Sequence, residues 1–217
     1  MNNFSPNMLK TFDECQMKFF LKYVEKISVP QRAKLFEKGK KVHALASYYL
    51  RGADIQKMEK VLSSDEKTVW NNLKSSEYFK LKVINTEYNL SCKVGNYWIG
   101  GRLDALMSEG ENYFILDYKT GKIPLNAEQD FQTIVYLLAV EKFLKSKKIP
   151  CISLQFVYLG LKENVEKSVL LNEELKKQYE EKIVSICKKI DLAINSYVFS
   201  KNKDGCKNCE YNNICNL

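Results

Sequence analysis

The feature that most constrains the fold of this chain is a change in hydrophobic periodicity near Leu81. Before it, apolar residues recur at helical spacing and predict three helices. These helical segments run from Ser5-Pro6 to Tyr23, from Gln31 to Gly52 and from Asp65 to Tyr78. After it, strand-like segments occupy 81–92, 97–107 and 113–118, separated by turn-forming residues. The succession predicts early helices that cover an antiparallel meander.

The remaining chain predicts a helix at 127–145, a strand at 152–159 and a long amphipathic helix at 172–197. Helices on both sides of such strands give an α/β sandwich around a mixed central sheet. A chain of 217 residues without a linker-like tract should form one domain, 1–217. Its expected parts are a mainly helical part at 1–80, a sheet core at 81–160, and a closing helix with a cysteine-bearing tail at 161–217.

The sequence gives no sign of export or of a membrane span. No apolar run approaches the roughly 18 residues of a spanning helix, and the first residues resemble no secretory signal. We therefore expect a cytoplasmic protein with no membrane partner. In a reducing compartment the seven cysteines point to metal ligation or buried thiols rather than to disulfides.

The chain is basic, with 34 Lys and Arg against 26 Asp and Glu and a formal charge of +8. Such an excess favours polyanionic partners. Lysine excess alone also fits an ordinary solvated surface. The chain has no G-x-x-x-x-G-K-[ST] loop, so it carries no recognisable ATP motor.

Two carboxylates and a lysine are expected to converge where predicted strands meet. Asp117 and Lys119 end the third strand on one face, because strand side chains alternate. The turn at 108–112 returns the chain so that Asp104 lies beside Asp117. Carboxylates of this kind hold Mg²⁺ or Mn²⁺, and a nearby lysine offsets charge during phosphodiester hydrolysis. A D-x-K at a strand end is also common as plain surface ion-pair chemistry.

Four short elements carry a resemblance to the RecB-like PD-(D/E)XK nucleases. Gly39 to His43 resembles the G-x-x-x-H element of that family, and Gly101 to Asp104 resembles its G-x-x-D. Residues 117–121 read D-Y-K-T-G, as in the family, and Gln132 with Tyr136 resembles the Q-x-x-x-Y that follows. The four elements occur in the family's order.

The resemblance implies a restriction-endonuclease-like α/β/α sandwich and assigns roles to the matching residues. The implied metal ligands are His43, Asp104, Asp117 and the carbonyl of Tyr118. Lys119 is implied as the catalytic lysine, and Gln132 and Tyr136 are implied to line the site and touch DNA. Glu87 is a further acidic candidate, as in relatives with a glutamate there.

Plainer interpretations of the secondary candidates remain open. His43 is the single histidine of the chain, and a lone histidine on an apolar helical face is often a hydrogen-bonded core residue. Glu87 also fits an exposed surface position. Gln132 and Tyr136 also fit the polar margin of a helix facing a sheet, and Arg102 fits either a phosphate contact or a neighbouring ion pair.

The tail carries a second candidate site. Cys206, Cys209 and Cys215 need a fourth soft ligand, and Cys15 on the first predicted helix is the candidate. Spacing alone fits zinc at least as well as an iron–sulfur cluster. The arrangement resembles the iron–sulfur branch of these nucleases, seen in AddB-type recombination subunits and CRISPR spacer-acquisition nucleases, which implies a [4Fe–4S] cluster. The other cysteines, Cys92, Cys151 and Cys187, fit ordinary buried thiols.

The resemblance therefore implies a metal-dependent deoxyribonuclease, expected to act as an exonuclease on single-stranded ends in DNA repair, recombination or CRISPR spacer acquisition. A helicase or a CRISPR-integration protein is the partner expected in trans. One alternative is a non-catalytic DNA-binding or scaffold subunit with a structural metal cluster. Another is a zinc-stabilised interaction protein, which would leave the central motifs unexplained.

Overall fold

A computed structural model describes residues 3–29 and 33–215, with the backbone alone for 33–39. Within these ranges the chain forms one mixed sheet with helices on both faces, so the expected α/β sandwich is confirmed. The strands are β1 (Asn3–Phe4), β2 (Lys82–Val94), β3 (Tyr97–Glu109), β4 (Asn112–Lys119), β5 (Ser153–Gly160) and β6 (Val165–Leu170). None of the helices in the described ranges is apolar over the length that a bilayer requires.

The helices before the sheet are α1 (Pro6–Glu14), α2 (Gln16–Phe19), α3 (Ala33–Leu50), α4 (Gln56–Lys60) and α5 (Ser64–Lys74). Those after β4 are α6 (Phe131–Ser146), α7 (Glu173–Ser196) and the short α8 (Asn212–Cys215). A π-helical turn at Phe20–Val24 and 3₁₀ turns at Glu77–Lys80 and Lys203–Asn208 complete the described elements. The expected start of the second helix at Gln31 lies outside the described residues.

The sheet places β3 between β2 on one side and β1 with β4 on the other. β2, β3 and β4 pair antiparallel as the expected meander, and β4 then pairs parallel with β5 through the α6 crossover. β1 adds to β3 in parallel, and β6 closes the far edge against β5. Each of the two sheet faces is covered by its own helices.

Two apolar cores lie on opposite faces of the sheet. Helices α1, α6 and α7 pack on one face through residues such as Leu9, Ile134 and Ile183. Helices α3 and α5 pack on the other through Leu45 and Trp70. We call these the α6 face and the α3 face. Each face of the sheet is therefore covered by its own layer of helices, whose side chains pack against the strands.

The first helix ends earlier than its sequence pattern predicts. Ser5 caps α1 by accepting a hydrogen bond from the Met8 amide, as the sequence predicts. Cys15, however, is not helical: its φ of −163° and ψ of 112° make it an extended junction between α1 and α2. Its Sγ accepts a hydrogen bond from the Lys18 amide and so caps the second helix. The break turns the thiol out of the apolar stripe of α1.

Candidate active site

The site is built where β3 and β4 stop pairing. Their last described pair nearest the opening is Ala105 with Leu116, and the next residues along each strand are Asp104 and Asp117. The strands separate at these carboxylates, as the expected return of the chain requires. Leu116 and Tyr118 pack on the α3 face, so alternation turns Asp117 and Lys119 toward the α6 face. We call the opening between β3 and β4 beyond the Ala105–Leu116 pair the fork. It receives side chains from both the α3 face and the α6 face of the sheet.

His43, Glu87 and Asp104 form one group in the fork. One ligand atom of each lies within 4.8 Å of the others, and the three are half-buried. α3 supplies the histidine, β2 the glutamate and β3 the aspartate. A nitrogen and two carboxylate oxygens at this spacing are a donor set that a divalent metal accepts.

Glu87 reaches this group through unusual backbone geometry. Its φ is +49°, in the left-handed region that non-glycine residues rarely adopt. Thr86, the preceding residue, also faces α3: its Oγ1 lies 3.1 Å from Ser47 Oγ and accepts a hydrogen bond of 2.8 Å from Arg51 Nε. Two successive residues of β2 thus face the same helix, which regular alternation does not allow. The backbone strain at Glu87 brings its carboxylate to the site.

The backbone of Tyr118 connects Asp104 and His43. Its amide donates to Asp104 Oδ2 at 2.9 Å, and its carbonyl oxygen lies 2.9 Å from His43 Nε2. The other ring nitrogen of His43 lies 3.1 Å from Asp104 Oδ1. Both ring nitrogens thus face acceptors, an arrangement that favours the imidazolium form. Burial alone lowers the pKa of His43, but the Asp104 hydrogen bond and the negative charges of Asp104 and Asp117 raise it overall.

Asp117, Lys119 and Gln132 form a second group on the α6 face. Lys119 Nζ lies 2.7 Å from Asp117 Oδ2 and donates to Gln132 Oε1 at 2.6 Å. Gln132 Nε2 donates in turn to Asp117 Oδ1 at 3.1 Å. Burial raises the pKa of Asp117 to about 6, because the nearby Asp104 charge adds to desolvation and Lys119 offsets them only in part.

Asp117 offers an oxygen that suits a cation. Its Oδ2 is buried, and among the described residues its close neighbour is Lys119 Nζ, in an ion pair rather than a hydrogen bond of good geometry. Asp104 and the Tyr118 carbonyl likewise present oxygens to the ring nitrogens of His43. Carboxylate and carbonyl oxygens are the hard ligands that Mg²⁺ and Mn²⁺ prefer, and a divalent cation would balance the negative charge of the two aspartates. The residues present therefore fit a divalent metal in the fork.

Tyr136 and Arg102 take supporting positions. Tyr136 is buried, and its hydroxyl donates to the Arg102 carbonyl oxygen at 2.9 Å. A Cβ on Gly101 would lie 2.8 Å from that hydroxyl, so the glycine admits the tyrosine. Arg102 Nε pairs with Glu87 Oε2 at 2.9 Å. Both residues brace the segments of β2 and β3 that carry Glu87 and Asp104.

Two supporting residues escaped the sequence reasoning. The ring of Tyr158 on β5 lies beneath Lys119, with Nζ 5.5 Å from the ring centre. Its hydroxyl lies 3.0 Å from Thr133 Oγ1 and donates to Asp130 Oδ1 at 3.1 Å. Asp130 caps α6 through the Gln132 amide. An aspartate two residues before Gln132 is a recognisable cap signal, whereas nothing in the sequence pairs Tyr158 with Lys119.

Three cysteines of the tail and Cys15, at the junction of α1 and α2, line a separate cavity. Cys15, Cys206, Cys209 and Cys215 all line a cavity of about 270 Å³. The three cysteines outside this set are buried Cys92 and Cys187 and exposed Cys151, so the buried prediction fails for Cys151. Cys151 begins the exposed turn before β5, where its neighbour Ile152 is also 77% exposed.

Hydrogen bonds join the tail to the first helices around this cavity. The Met17 amide donates to the Ser200 carbonyl oxygen at 3.0 Å, and Asn202 Nδ2 donates to the Glu14 carbonyl oxygen at 2.9 Å. Lys18 and Glu210 add an ion pair of 3.1 Å. The two ends of the described chain are therefore held together beside the thiols.

Comparisons with known proteins agree with this architecture. The family model described as the PD-(D/E)XK nuclease superfamily matches residues 3–88 and 66–216. The crystal structure of a candidate exonuclease from Eubacterium rectale has a TM-score of 0.63 and 12% identity, covering 98% of this chain and 88% of that one. The crystal structure of SSO0001 has a TM-score of 0.51 and 16% identity, covering 99% and 86%. No curated protein matched. At such identities the two structures show a shared fold.

Proposed function

This chain belongs to the PD-(D/E)XK nuclease superfamily, and we propose that it is a metal-dependent deoxyribonuclease that acts as an exonuclease on single-stranded ends. The observation that carries the proposal is the fork, where His43, Glu87 and Asp104 come within 4.8 Å beside the pair Asp117 and Lys119. Acids, an imidazole and an ammonium at one opening suit phosphodiester hydrolysis. The solved Eubacterium rectale structure, described as that of a candidate exonuclease, favours the same reaction class.

Each residue has a definite part in this proposal. Asp104, Asp117, His43 and the Tyr118 carbonyl would hold Mg²⁺ or Mn²⁺, with Glu87 as an additional acidic ligand. The metal, when bound, polarises the phosphate and lowers the pKa of a bound water. His43 would ligate through a ring nitrogen that carries no proton, since one nitrogen cannot bind both a proton and a metal ion.

Lys119 and Gln132 act on the α6 side of the fork. The Lys119 ammonium offsets the negative charge that develops on the phosphate. Gln132 holds both Lys119 and Asp117 through its side-chain amide, and Tyr158 supports the lysine from below. This arrangement orients the ammonium before substrate arrives, so less reorganisation is needed during the reaction.

We further propose that Cys15, Cys206, Cys209 and Cys215 hold one [4Fe–4S] cluster. Four thiolates around a common cavity suit a soft metal centre. The choice of an iron–sulfur cluster over a single zinc ion rests on the resemblance of Cys15 and the terminal C-x₂-C-x₅-C to the iron–sulfur branch of these nucleases.

The proposed setting is DNA repair, recombination or CRISPR spacer acquisition, with a helicase or a CRISPR-integration protein as partner. The formal charge of +8 on this chain supports a DNA substrate. The pathway is tested by identifying the DNA-processing protein that co-purifies with the chain from its native host.

The reaction is tested with end-labelled DNA. Linear single-stranded, linear double-stranded and circular single-stranded DNA are incubated with Mg²⁺, Mn²⁺ or EDTA, and products are sized over time. We expect linear single strands to be shortened from an end with either metal, and EDTA to stop the reaction. Equal cutting of the circle would replace the exonuclease with an endonuclease, and inertness toward every DNA would contradict the proposed function.

A further inference from the structure

A row of cross-strand pairs leads away from the acidic group along β2 and β3. The pairs next to Glu87 and Asp104 are Asn89 with Arg102, Ser91 with Gly100, and Lys93 with Trp98. The residues between them face the α6 core, among them Leu90, Cys92, Ile99 and Leu103. Alternation therefore turns the paired side chains to the other face, the one on which Glu87 and Asp104 meet His43.

This row is open and carries both cations and an aromatic ring. Trp98 is 47% exposed and the Arg102 side chain is 65% exposed. Asn89, Ser91 and Lys93 are exposed as well. Lys93 is the cross-strand partner of Trp98, and Arg102 lies four residues from Trp98 along β3 toward Asp104. A large exposed ring with cations along the same row is the combination that binds single-stranded nucleic acid, because bases stack on the ring while phosphates meet the charges.

A cavity of about 440 Å³ lies in the middle of the row, between β1, the start of α1 and the β2–β3 pair. Its lining includes Asn3, Asn89 and Ser91, and none of the described residues that line it is charged. A Cβ on Gly100 would lie 2.2 Å from the Leu90 carbonyl oxygen, so no side chain can replace this glycine without backbone movement. Amides and hydroxyls on an uncharged floor suit the edges of a base or a sugar rather than a phosphate.

We propose that Asn89, Ser91, Lys93, Trp98 and Arg102 form a platform that holds a single strand of the substrate on its way to the fork. The proposal rests on the nuclease function proposed above. Trp98 stacks on one base and Lys93, beside it, meets the neighbouring phosphate. Arg102, whose Nε pairs with Glu87, meets a phosphate nearer the fork. Trp98 is six residues from Asp104 along β3, about 20 Å at roughly 3.3 Å per residue, so the stacked base lies several nucleotides from the cleaved bond.

The platform selects single strands because a paired base is already stacked and its edge is occupied by its partner. Only an unpaired base can lie flat on Trp98 and present its edge to the amides of the cavity. The continuity of the platform with Glu87 and Asp104, through unbroken β2–β3 pairing from Asn89 to Val94, gives the strand a direct route to the fork.

Tryptophan fluorescence tests the platform without relying on cleavage. The chain has two tryptophans, and Trp70 is buried at 2% exposure, so Trp98 supplies the signal that a ligand can reach. With EDTA present, titration of oligothymidine into the wild-type protein should quench this signal. The same sequence annealed into a duplex should quench it much less, and equal quenching by the duplex would overturn the selection of single strands.

Variants at Trp98 distinguish binding on the platform from binding elsewhere on the protein surface. Trp98→Ala should weaken oligothymidine binding about tenfold by anisotropy, whereas Trp98→Phe, which keeps a ring, should stay near wild type. Leu192→Ala removes an exposed apolar side chain from α7 in the opposite layer and should change nothing. Normal binding by Trp98→Ala, in a protein whose wild type binds and cleaves DNA, would overturn the platform and leave the nuclease standing.

Salt dependence tests the phosphate contact. Lys93→Gln should reduce the slope of log K against log salt by about 0.7, the value for one phosphate contact on a single strand. Lys189→Gln, an exposed lysine on α7, is the matched control and should leave the slope unchanged. An unchanged slope for Lys93→Gln would remove Lys93 from the platform. A wild-type protein that neither binds nor cleaves any nucleic acid would overturn the platform and the proposed function together.

Discussion

At the scale of single residues, the Tyr118 peptide does more for the site than the tyrosine side chain. Its amide orients Asp104 and its carbonyl faces His43, so two expected ligands are aligned by one backbone unit. The ring itself is buried in the α3 core. The geometry explains how a tyrosine between Asp117 and Lys119 can serve the site: its side chain anchors the strand while its peptide arranges the ligands.

We expect the buried carboxylate of Asp117 to make the metal-free protein less stable than a neutral residue would. Its pKa is raised to about 6 in the fold by burial, against about 3.9 in an unfolded chain. The folded state therefore binds more protons between these values, and stability falls as pH rises through this window. Replacing Asp117 with a neutral residue should remove this loss of folding stability, which is complete once the pH is well above 6.

We predict that Asp117→Asn raises the melting temperature of EDTA-treated protein at pH 7.5 by a few degrees, corresponding to about 1 kcal/mol. At about pH 4 the difference should shrink, because the wild-type carboxyl is then protonated in the fold. Scanning calorimetry at both pH values measures it. Asp13→Asn, at an exposed position of α1, is the control, and a destabilised Asp117→Asn at pH 7.5 would contradict the assigned burial cost.

Glu87 should show a trade between stability and activity. Glycine adopts a φ of +49° without steric cost, so Glu87→Gly should stabilise the fold by about 0.5 to 1 kcal/mol. The same change removes an acidic ligand and should weaken Mn²⁺ binding. Glu87→Gln keeps the backbone strain and loses only the charge, so it should weaken Mn²⁺ without the gain in stability. Calorimetry and Mn²⁺ titration of both variants decide, and full Mn²⁺ affinity in Glu87→Gly would exclude the ligand role.

At the scale of elements, the site depends on where strands and helices end. β4 leaves β3 after the Ala105–Leu116 pair, and α6 begins at Phe131 because Asp130 caps it. That start places Gln132 in the first turn, directly over Asp117 and Lys119. A helix that began at 127, as the apolar pattern suggests, would have buried these positions differently. The end of β4 and the cap of α6 thus position Asp117, Lys119 and Gln132. His43, Glu87 and Asp104 lie within α3, β2 and β3 instead.

The meander, the crossover helix and the closing helix follow from the sequence because their apolar periods are long and regular. The edge strand β6 does not: five of its six residues are exposed, so no alternation marks it. β1 has two residues, too few for any period. The break at Cys15 also escaped, because apolar spacing continues through it and the thiol's capping bond to Lys18 leaves no local pattern.

The residues of the candidate site also fall into those that local sequence patterns predict and those that they do not. Asp104, Asp117 and Lys119 stand out because turn positions and strand ends fix their relative places. The approach of His43 depends on how α3 packs against the sheet, and no local rule gives that geometry. The left-handed backbone of Glu87 is equally hidden, since its neighbours read as an ordinary strand. Local patterns therefore predict the positions of Asp104, Asp117 and Lys119, whereas the approach of His43 and Glu87 depends on long-range packing and backbone geometry.

At the scale of the whole molecule, the cysteine cavity joins the first helices to the tail. Cys15 and Cys206 are separated by nearly the entire chain, and closing so long a loop removes much conformational freedom from the unfolded state. By the same reasoning as for crosslinks, a bound cluster should add on the order of a few kcal/mol. The fork lies in a different part of the fold, and the ligands proposed for it are a separate set of residues.

We predict that serine at Cys15, Cys206, Cys209 or Cys215 lowers both iron content and melting temperature of anaerobically purified protein. Wild type should contain about four irons per chain. Cys151→Ser, which changes an exposed thiol outside the cavity, should alter neither quantity. One zinc and no iron in the wild type would overturn the cluster, while the fork and its chemistry would stand.

The central claim is that the fork hydrolyses DNA through its acids and Lys119. Its most direct test is the single-turnover rate on end-labelled single-stranded DNA with Mn²⁺, measured for wild type, Asp104→Asn and Lys119→Ala, with circular dichroism to confirm folding. We predict that each substitution lowers the rate by about a hundredfold or more, while the folded spectrum persists and Asp13→Asn remains as active as wild type. Wild-type rates in folded Asp104→Asn and Lys119→Ala would contradict the account.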